Sequence, residues 1–248
     1  MKTIAVINVK GGVAKTTTTV TLAHILATQF NKRVLVVDND KQGHASLGLG
    51  CRDEKKLSIA EVLLNQCKMT EAIQKTSYEN LDVLQANMSL LTAMQQLLVR
   101  ATMQSFTIYP NEFKMIKNNY DYCIIDNAPD VNIAVMNALH AADEIIVPIM
   151  LDQNSFDGFL QLEKQIQEAR VYNSKLKFSG CLVTRYCKDE DGCLEGIDLE
   201  PYKIFPIRIR RSSKVANSSF KFKPIVEYSP RSATARDYIE FTKFYFGL

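Results

Sequence analysis

No cysteine of the chain stands in a CxxC pair. No histidine lies within ligand spacing of Cys51, Cys67, Cys123, Cys181, Cys187 or Cys193 either, so zinc and dithiol redox motifs are not suggested. Reduced structural thiols of a cytosolic protein are the expectation. Long apolar runs are missing as well. The N-terminal stretch MKTIAVINVKGG carries one short apolar run and passes into a glycine loop without a cleavage site, so no signal peptide is expected. No run approaches the length of a membrane span, and a cytoplasmic location follows as the expectation. No repeat, low-complexity tract or Pro/Gly/Ser linker divides the 248 residues. A single domain over residues 1–248 is therefore expected.

At 46% hydrophobic and 23% charged residues, the chain suits one large buried core. Its formal net charge of +3 is too small to identify a partner, because binding depends on where charge sits. That charge is segregated. Residues 188–200 (KDEDGCLEGIDLE) hold six acids and one lysine, whereas residues 203–223 hold Lys203, Arg208, Arg210, Arg211, Lys214, Lys221 and Lys223 with no acid.

Apolar, β-branched runs recur at 4–9, 34–38, 122–126, 144–149 and 180–184. They lack the alternation of half-exposed strands, as expected when helices cover both faces of a parallel sheet. Helical patterns fill 16–29, 89–106, 132–142 and 155–171, each long enough for a right-handed crossover. Segment 58–75 reads as two short helices, the first opened by a Ser58–Glu61 capping box. The expected fold is doubly wound α/β, with a mostly parallel sheet and helices on both faces.

Directly after the first strand and before a helical run, residues 10–17 read KGGVAKTT. Phosphates need backbone N–H donors at close range, glycines that permit the approach, and the positive end of a helix dipole. Gly11 and Gly12 supply the loop, Lys15 would reach the phosphates, and Thr16 would offer a hydroxyl to Mg²⁺. Ala14 stands where the general P-loop pattern has its second glycine, but the KGGxxKT variant is complete. Asp38 and Asp126 end apolar runs and Asp40 follows two residues after the first. Acids at the carboxyl ends of parallel strands point toward the loop, where a Mg·ATP site needs them. For Asp38, a place in the metal shell and a role as turn cap are both open. Lys41 reads as a surface residue.

The segment KGGVAKTTT resembles the deviant Walker A motif of the ParA/MinD superfamily, and the chain is similar to ParA-type partition ATPases over about residues 2–246, the stretch 186–203 excepted. The resemblance implies a P-loop NTPase that uses ATP and Mg²⁺, with Gly11, Gly12, Val13, Ala14, Lys15, Thr16 and Thr17 around the phosphates. It implies that Lys10 crosses a homodimer to the partner's ATP, a residue with no local task in an ordinary P-loop. Asp126 matches the Walker B aspartate and Asp40 the switch aspartate that positions the hydrolytic water. Thr16, Asp38 and Asp126 would then surround the metal, Lys10, Lys15 and Asp40 would serve hydrolysis, and Thr184 and Pro206 would lie near the base. Where the family commonly has DPQGN and DxPP, this chain has Asp40-Lys41-Gln42-Gly43-His44 and Asp126-Asn127-Ala128-Pro129.

The C-terminal segment FPIRIRRSSKVANSSFKFKPIVEYSPRS is also similar to the family's. By resemblance, Arg208, Arg210, Arg211 and Lys214 bind duplex DNA without sequence preference, a ParB-like partner stimulates slow hydrolysis, and the protein is nucleoid-associated. A MinD-like membrane switch is the alternative. Its hallmark would be a basic amphipathic tail. Here Tyr238, Phe241, Phe244, Tyr245 and Phe246 lack a basic face, so packing of the last helix on the sheet is expected. An iron–sulfur carrier would need cysteines after Asp126, and none occurs before Cys181. His24, His44 and His140 read as packing or surface residues rather than catalytic ones.

Overall fold

In the computed structural model, which describes residues 1–100, 102–194 and 198–248, the apolar runs form the middle of a seven-stranded sheet. The side chain of Cys193 and residues 195–197 of the acidic segment lie outside that description. The strands are β1 (Lys2–Val6), β2 (Val34–Asn39), β3 (Ile73–Lys75), β4 (Leu81–Leu84), β5 (Tyr122–Asn127), β6 (Glu144–Ile149) and β7 (Lys177–Val183). Their order is β3-β4-β2-β5-β1-β6-β7, parallel throughout except for β3 against β4. The helices are α1 (Lys15–Phe30), α2 (His44–Gly48), α3 (Ile59–Leu63), α4 (Met69–Ala72), α5 (Ser89–Val99), α6 (Ile108–Ile116), α7 (Ile133–Ala141), α8 (Gln153–Tyr172), α9 (Ser213–Phe220), α10 (Ile225–Tyr228) and α11 (Ala233–Phe246).

Alternation along the strands sends apolar side chains to both faces. Val34 and Val36 pack with Leu22, Leu26, Tyr238 and Phe241 of α1 and α11. Leu35 and Val37 pack on the opposite face with Leu90, Phe113 and Ile133 of α5, α6 and α7. On the far side of β1, Ile145 and Val147 meet Leu139 of α7 and Phe159 of α8. Both faces are covered, which is why the runs are continuously apolar. The expected doubly wound arrangement is thus present.

Three expectations need revision. The first strand ends at Val6 rather than residue 9, because Asn8 turns the chain, donating from its Nδ2 to the Pro148 carbonyl and accepting from the Lys10 N–H. Strands β3 and β4 and helix α6 were not expected, and the single helix over 89–106 is α5 followed by a 3₁₀ turn at Met103–Phe106. β4 escaped notice because Asp82 interrupts its apolar character; its carboxylate is taken up by Lys75 at 2.8 Å and the Tyr120 hydroxyl at 2.7 Å. The capping box at Ser58 is present, with Glu61 accepting from the Ser58 N–H.

Helix α11 lies on the sheet as expected. Phe241 stacks with Tyr245 and meets Phe205 edge-on, and Tyr245 donates to Glu144. Among the described residues, no helix is long and apolar enough to cross a membrane.

Candidate nucleotide-binding site

β1 lies between β5 and β6; the chain runs from β1 to β2 on one side of it and from β6 to β7 outward on the other, and the crevice at its carboxyl end is the ligand position of a doubly wound sheet. The loop from Asn8 to Ala14 fills this position and delivers the chain to the N-terminus of α1. Ala14 caps the helix in the left-handed conformation, φ 64° and ψ 30°. That geometry explains the glycine of the general P-loop pattern here: a Cβ in this region costs roughly 1–2 kcal/mol, and the chain carries it.

A cleft of about 760 Å³ opens above the loop, lined among others by Gly12, Lys15, Asp40, Thr184, Arg185 and Arg211. Gly11, Ala14, Thr16 and Thr17 also border it. Val13 is buried beneath, where its carbonyl accepts from Thr184 Oγ1 at 3.0 Å. Pro206, placed near the base by resemblance, does not line the cleft; residues 209–213, 215 and 216 do so instead. The α9 segment reaches the site through the Tyr186–Arg210 bridge, which draws the basic stretch up beside β7.

Lys15 is largely buried, and its Nζ donates to the Lys10 carbonyl at 2.9 Å. Burial lowers its pKa, opposed by the charges of Asp126, Asp40 and Asp130. Asp126 accepts from Thr16 Oγ1 at 2.7 Å and Thr19 Oγ1 at 3.3 Å. It faces Asp38 across the β2–β5 register, and both are buried. Burial raises the pKa of each, and at Asp126 the neighbouring Asp38 charge adds to it. Two buried carboxylates side by side favour a cation in their vicinity.

No group of three or more His, Cys, Asp or Glu side chains is placed to hold a metal by itself among the described residues. The Thr16–Asp126 pair suits Mg²⁺, which binds through one or two carboxylates together with substrate phosphates and water. Asp38 makes the hydrogen bonds of a turn cap. Its Oδ2 accepts from the Ser46 N–H and hydroxyl, each at 2.7 Å, and its Oδ1 accepts from the Asp40 N–H at 3.3 Å. Asp40 itself stands at the cleft, its Oδ1 accepting from the Gln42 N–H at 3.0 Å.

The departures from the family pattern have structural partners. Asn127 accepts from Asn39 Nδ2 at 2.8 Å and donates to the Val6 carbonyl at 3.2 Å, joining three strands beneath the site. Tyr109 of the unexpected α6 completes this net by donating to Asn39 at 2.6 Å. His44 is exposed at the cleft mouth, and Lys41 is half-buried.

Lys10 has a local partner. Its Nζ lies 2.5 Å from Asp152 Oδ1 and 2.7 Å from Oδ2. The expected DNA residues divide. Arg210 is clamped by Asp237, whose side chain is only 7% exposed. Arg208 lies over the Tyr186 ring, 5.0 Å from its centroid, while Arg211 and Lys214 are exposed. Sequence reasoning passed over Arg185, which borders the cleft immediately after Thr184; a cation directly following a strand-end residue assigned to the site was the available signal.

A family described as an AAA domain matches residues 1–178. The sporulation initiation inhibitor protein Soj of Bacillus subtilis is 32% identical over 98% of this chain and 97% of its own length. The chromosome partitioning protein ParA of Caulobacter vibrioides is 29% identical over 98% of this chain and 93% of its own. The structure of cobyrinic acid a,c-diamide synthase from Mycobacterium smegmatis, with a bound ATP analogue and magnesium, superposes with a TM-score of 0.86 at 28% identity, covering 99% of this chain and 94% of that one. With its KGGVAKT loop seated at the end of β1 and full-length similarity to these proteins, the chain belongs to the ParA/MinD-type partition ATPases.

Proposed function

We propose that the chain is an ATP-dependent dimerising switch that binds duplex DNA without sequence preference and positions a cargo with a ParB-like partner. The observation that carries this reading is the P-loop poised over the Thr16–Asp126 contact, with the switch residue Asp40 on the same cleft. When bound, Mg²⁺ would neutralise phosphate charge, and Thr16 and Asp126 would hold it. The loop N–H groups and Lys15 hold the phosphates, Thr16 and Asp126 orient the ion, and Asp40 orients the attacking water. Asp38 contributes by bracing the Asp40 loop. Lys10 reaches the partner's nucleotide, coupling ATP binding to dimerisation. Arg211 and Lys214 stand free of a carboxylate partner among the described residues and serve the DNA contact, with Arg208 and Arg210 beside them.

Sedimentation with Mg·ATP and with ADP, combined with turnover measured with and without duplex DNA, tests the reading. An ATP-specific dimer that binds DNA of any sequence supports it. A protein that stays monomeric with bound ATP overturns it. An ATP dimer that ignores DNA but binds anionic liposomes replaces it with the membrane alternative.

A further inference from the structure

Arg185 leaves β7 in the left-handed region, with φ 55°. For a long, unbranched side chain this conformation costs roughly 1–2 kcal/mol. Both neighbours enforce it. Thr184 donates its hydroxyl to the carbonyls of Val13 and Ile149 at 3.0 and 3.1 Å, and the Tyr186 N–H donates to the Ile209 carbonyl at 2.9 Å. The side chain is thereby sent back over the phosphate loop, where Nη1 donates to the Gly12 carbonyl at 3.3 Å.

That contact is a poor use of a guanidinium. The distance exceeds the usual N–H···O range, and the acceptor is neutral. Arg33, Arg52 and Arg210 each hold a carboxylate, whereas Arg185 has none among the described residues. Gly12 meets it with φ 77° and no Cβ; a methyl there would stand 4.0 Å from Nη1. Lys15 shows the same pattern, donating to the carbonyl of Lys10. Two cations of the cleft thus rest on neutral loop carbonyls. Each would exchange a neutral acceptor for a charged one, and charge-assisted bonds to phosphate are about twice as strong.

We propose that Arg185 is a nucleotide-binding residue that turns from the Gly12 carbonyl onto the phosphate chain of the nucleotide bound in its own subunit. This assignment rests on the ATP-binding reading above and deepens it. Backbone strain retained at a residue with a weak resting contact is the signature of a side chain held for a ligand. The guanidinium provides a second cation in cis, on the cleft that Lys15 also lines. Its role is to hold the phosphates; nothing requires it to touch the attacking water.

Calorimetric titration of the full chain with ATP, ADP and AMP in the presence of Mg²⁺ tests the proposal. Arg185→Gln should weaken ATP about tenfold and ADP by a smaller factor, and leave AMP within about twofold. Arg185→Lys should recover part of the ATP affinity, since it keeps the charge and loses the fork. Arg185→Gly should match Gln in ATP affinity while raising the melting temperature, because glycine relieves the left-handed backbone. An equal loss for ATP and AMP, or no loss for either, overturns the assignment of Arg185 to the phosphates. Failure of the unmodified protein to bind ATP overturns the nucleotide reading itself, so the two failures are told apart.

Discussion

Lys10 of the phosphate loop is paired with Asp152, the residue that caps the N-terminus of α8 by accepting from the Ser155 N–H at 2.8 Å. The pair is half-exposed, with side chains 24% and 36% accessible. It holds the loop lysine within its own subunit. If Lys10 reaches a partner's nucleotide as proposed, it must first leave this carboxylate, and the pair would then oppose dimerisation.

Asp152→Asn should therefore favour the ATP dimer. Asparagine caps a helix about as well as aspartate, so the fold is retained while the charge is removed. Exposed pairs contribute roughly 0.2–1 kcal/mol, and two open per dimer, so the dimer constant should tighten about two- to thirtyfold. Lys10→Ala should bind ATP, fail to dimerise and lose turnover sharply. Sedimentation over a protein concentration series reads both, and wild-type turnover in Lys10→Ala excludes a role across the dimer.

Lys15→Ala and Asp40→Ala should separate binding from hydrolysis. Lys15 supplies a buried cation whose loss leaves the phosphates uncompensated, so ATP affinity should fall about a hundredfold or more. Asp40→Ala should keep ATP and slow turnover by roughly 10²–10⁴, accumulating an ATP-locked dimer. A monomeric Asp40→Ala protein with bound ATP counts against the switch assignment.

Arg210 and Arg211 should behave differently although they are neighbours. Removing Arg210 leaves the buried Asp237 carboxylate without its guanidinium, and Arg210→Ala should cost about 1–3 kcal/mol in thermal unfolding. Arg211→Ala should be nearly silent in stability and instead weaken ATP-dependent binding to all duplexes alike. If about four phosphates are neutralised per dimer, log K falls against log salt with a slope near −3.6, and Arg211→Ala should make it shallower by about one to two units. A filter-binding salt series measures this; an unchanged slope removes Arg211 from the DNA surface.

Stability should decline on mild acidification through His24. Burial lowers its pKa, with the Glu227 charge acting in the opposite sense, and its ring meets Tyr78 edge-on at 4.7 Å. The unfolded chain takes up a proton near pH 6.5 that the folded chain resists. The penalty is absent above that pH and grows as pH falls through the interval below it. Melting temperatures between pH 7.5 and 5.5 should fall, and His24→Gln should flatten that dependence. Parallel curves for the two proteins remove His24 as the cause.

Strands β2, β5 and β6 were legible in the sequence because both of their faces are buried, which leaves unbroken apolar runs. The loop before α1 was legible because phosphate binding needs a contiguous stretch of residue types at fixed spacing. Ala14 was legible only as a departure, since the left-handed backbone that gives it meaning is a property of the folded loop. β4 was hidden by Asp82, whose charge is tolerated through Lys75 and Tyr120, residues brought to it by the sheet.

The sequence by itself determined the fold class, the phosphate loop and the acids at the strand ends, because each is set by local residue chemistry or by the period of a strand. Tertiary structure alone decided how the cations are used. Lys10 meets Asp152 across 142 residues, and Arg185 meets Gly12 across 173. Arg210 meets Asp237, 27 residues away. Charge acts over a few ångströms through space, and which acid or carbonyl lies within reach of a long flexible side chain is settled only when the sheet has brought distant strand ends together.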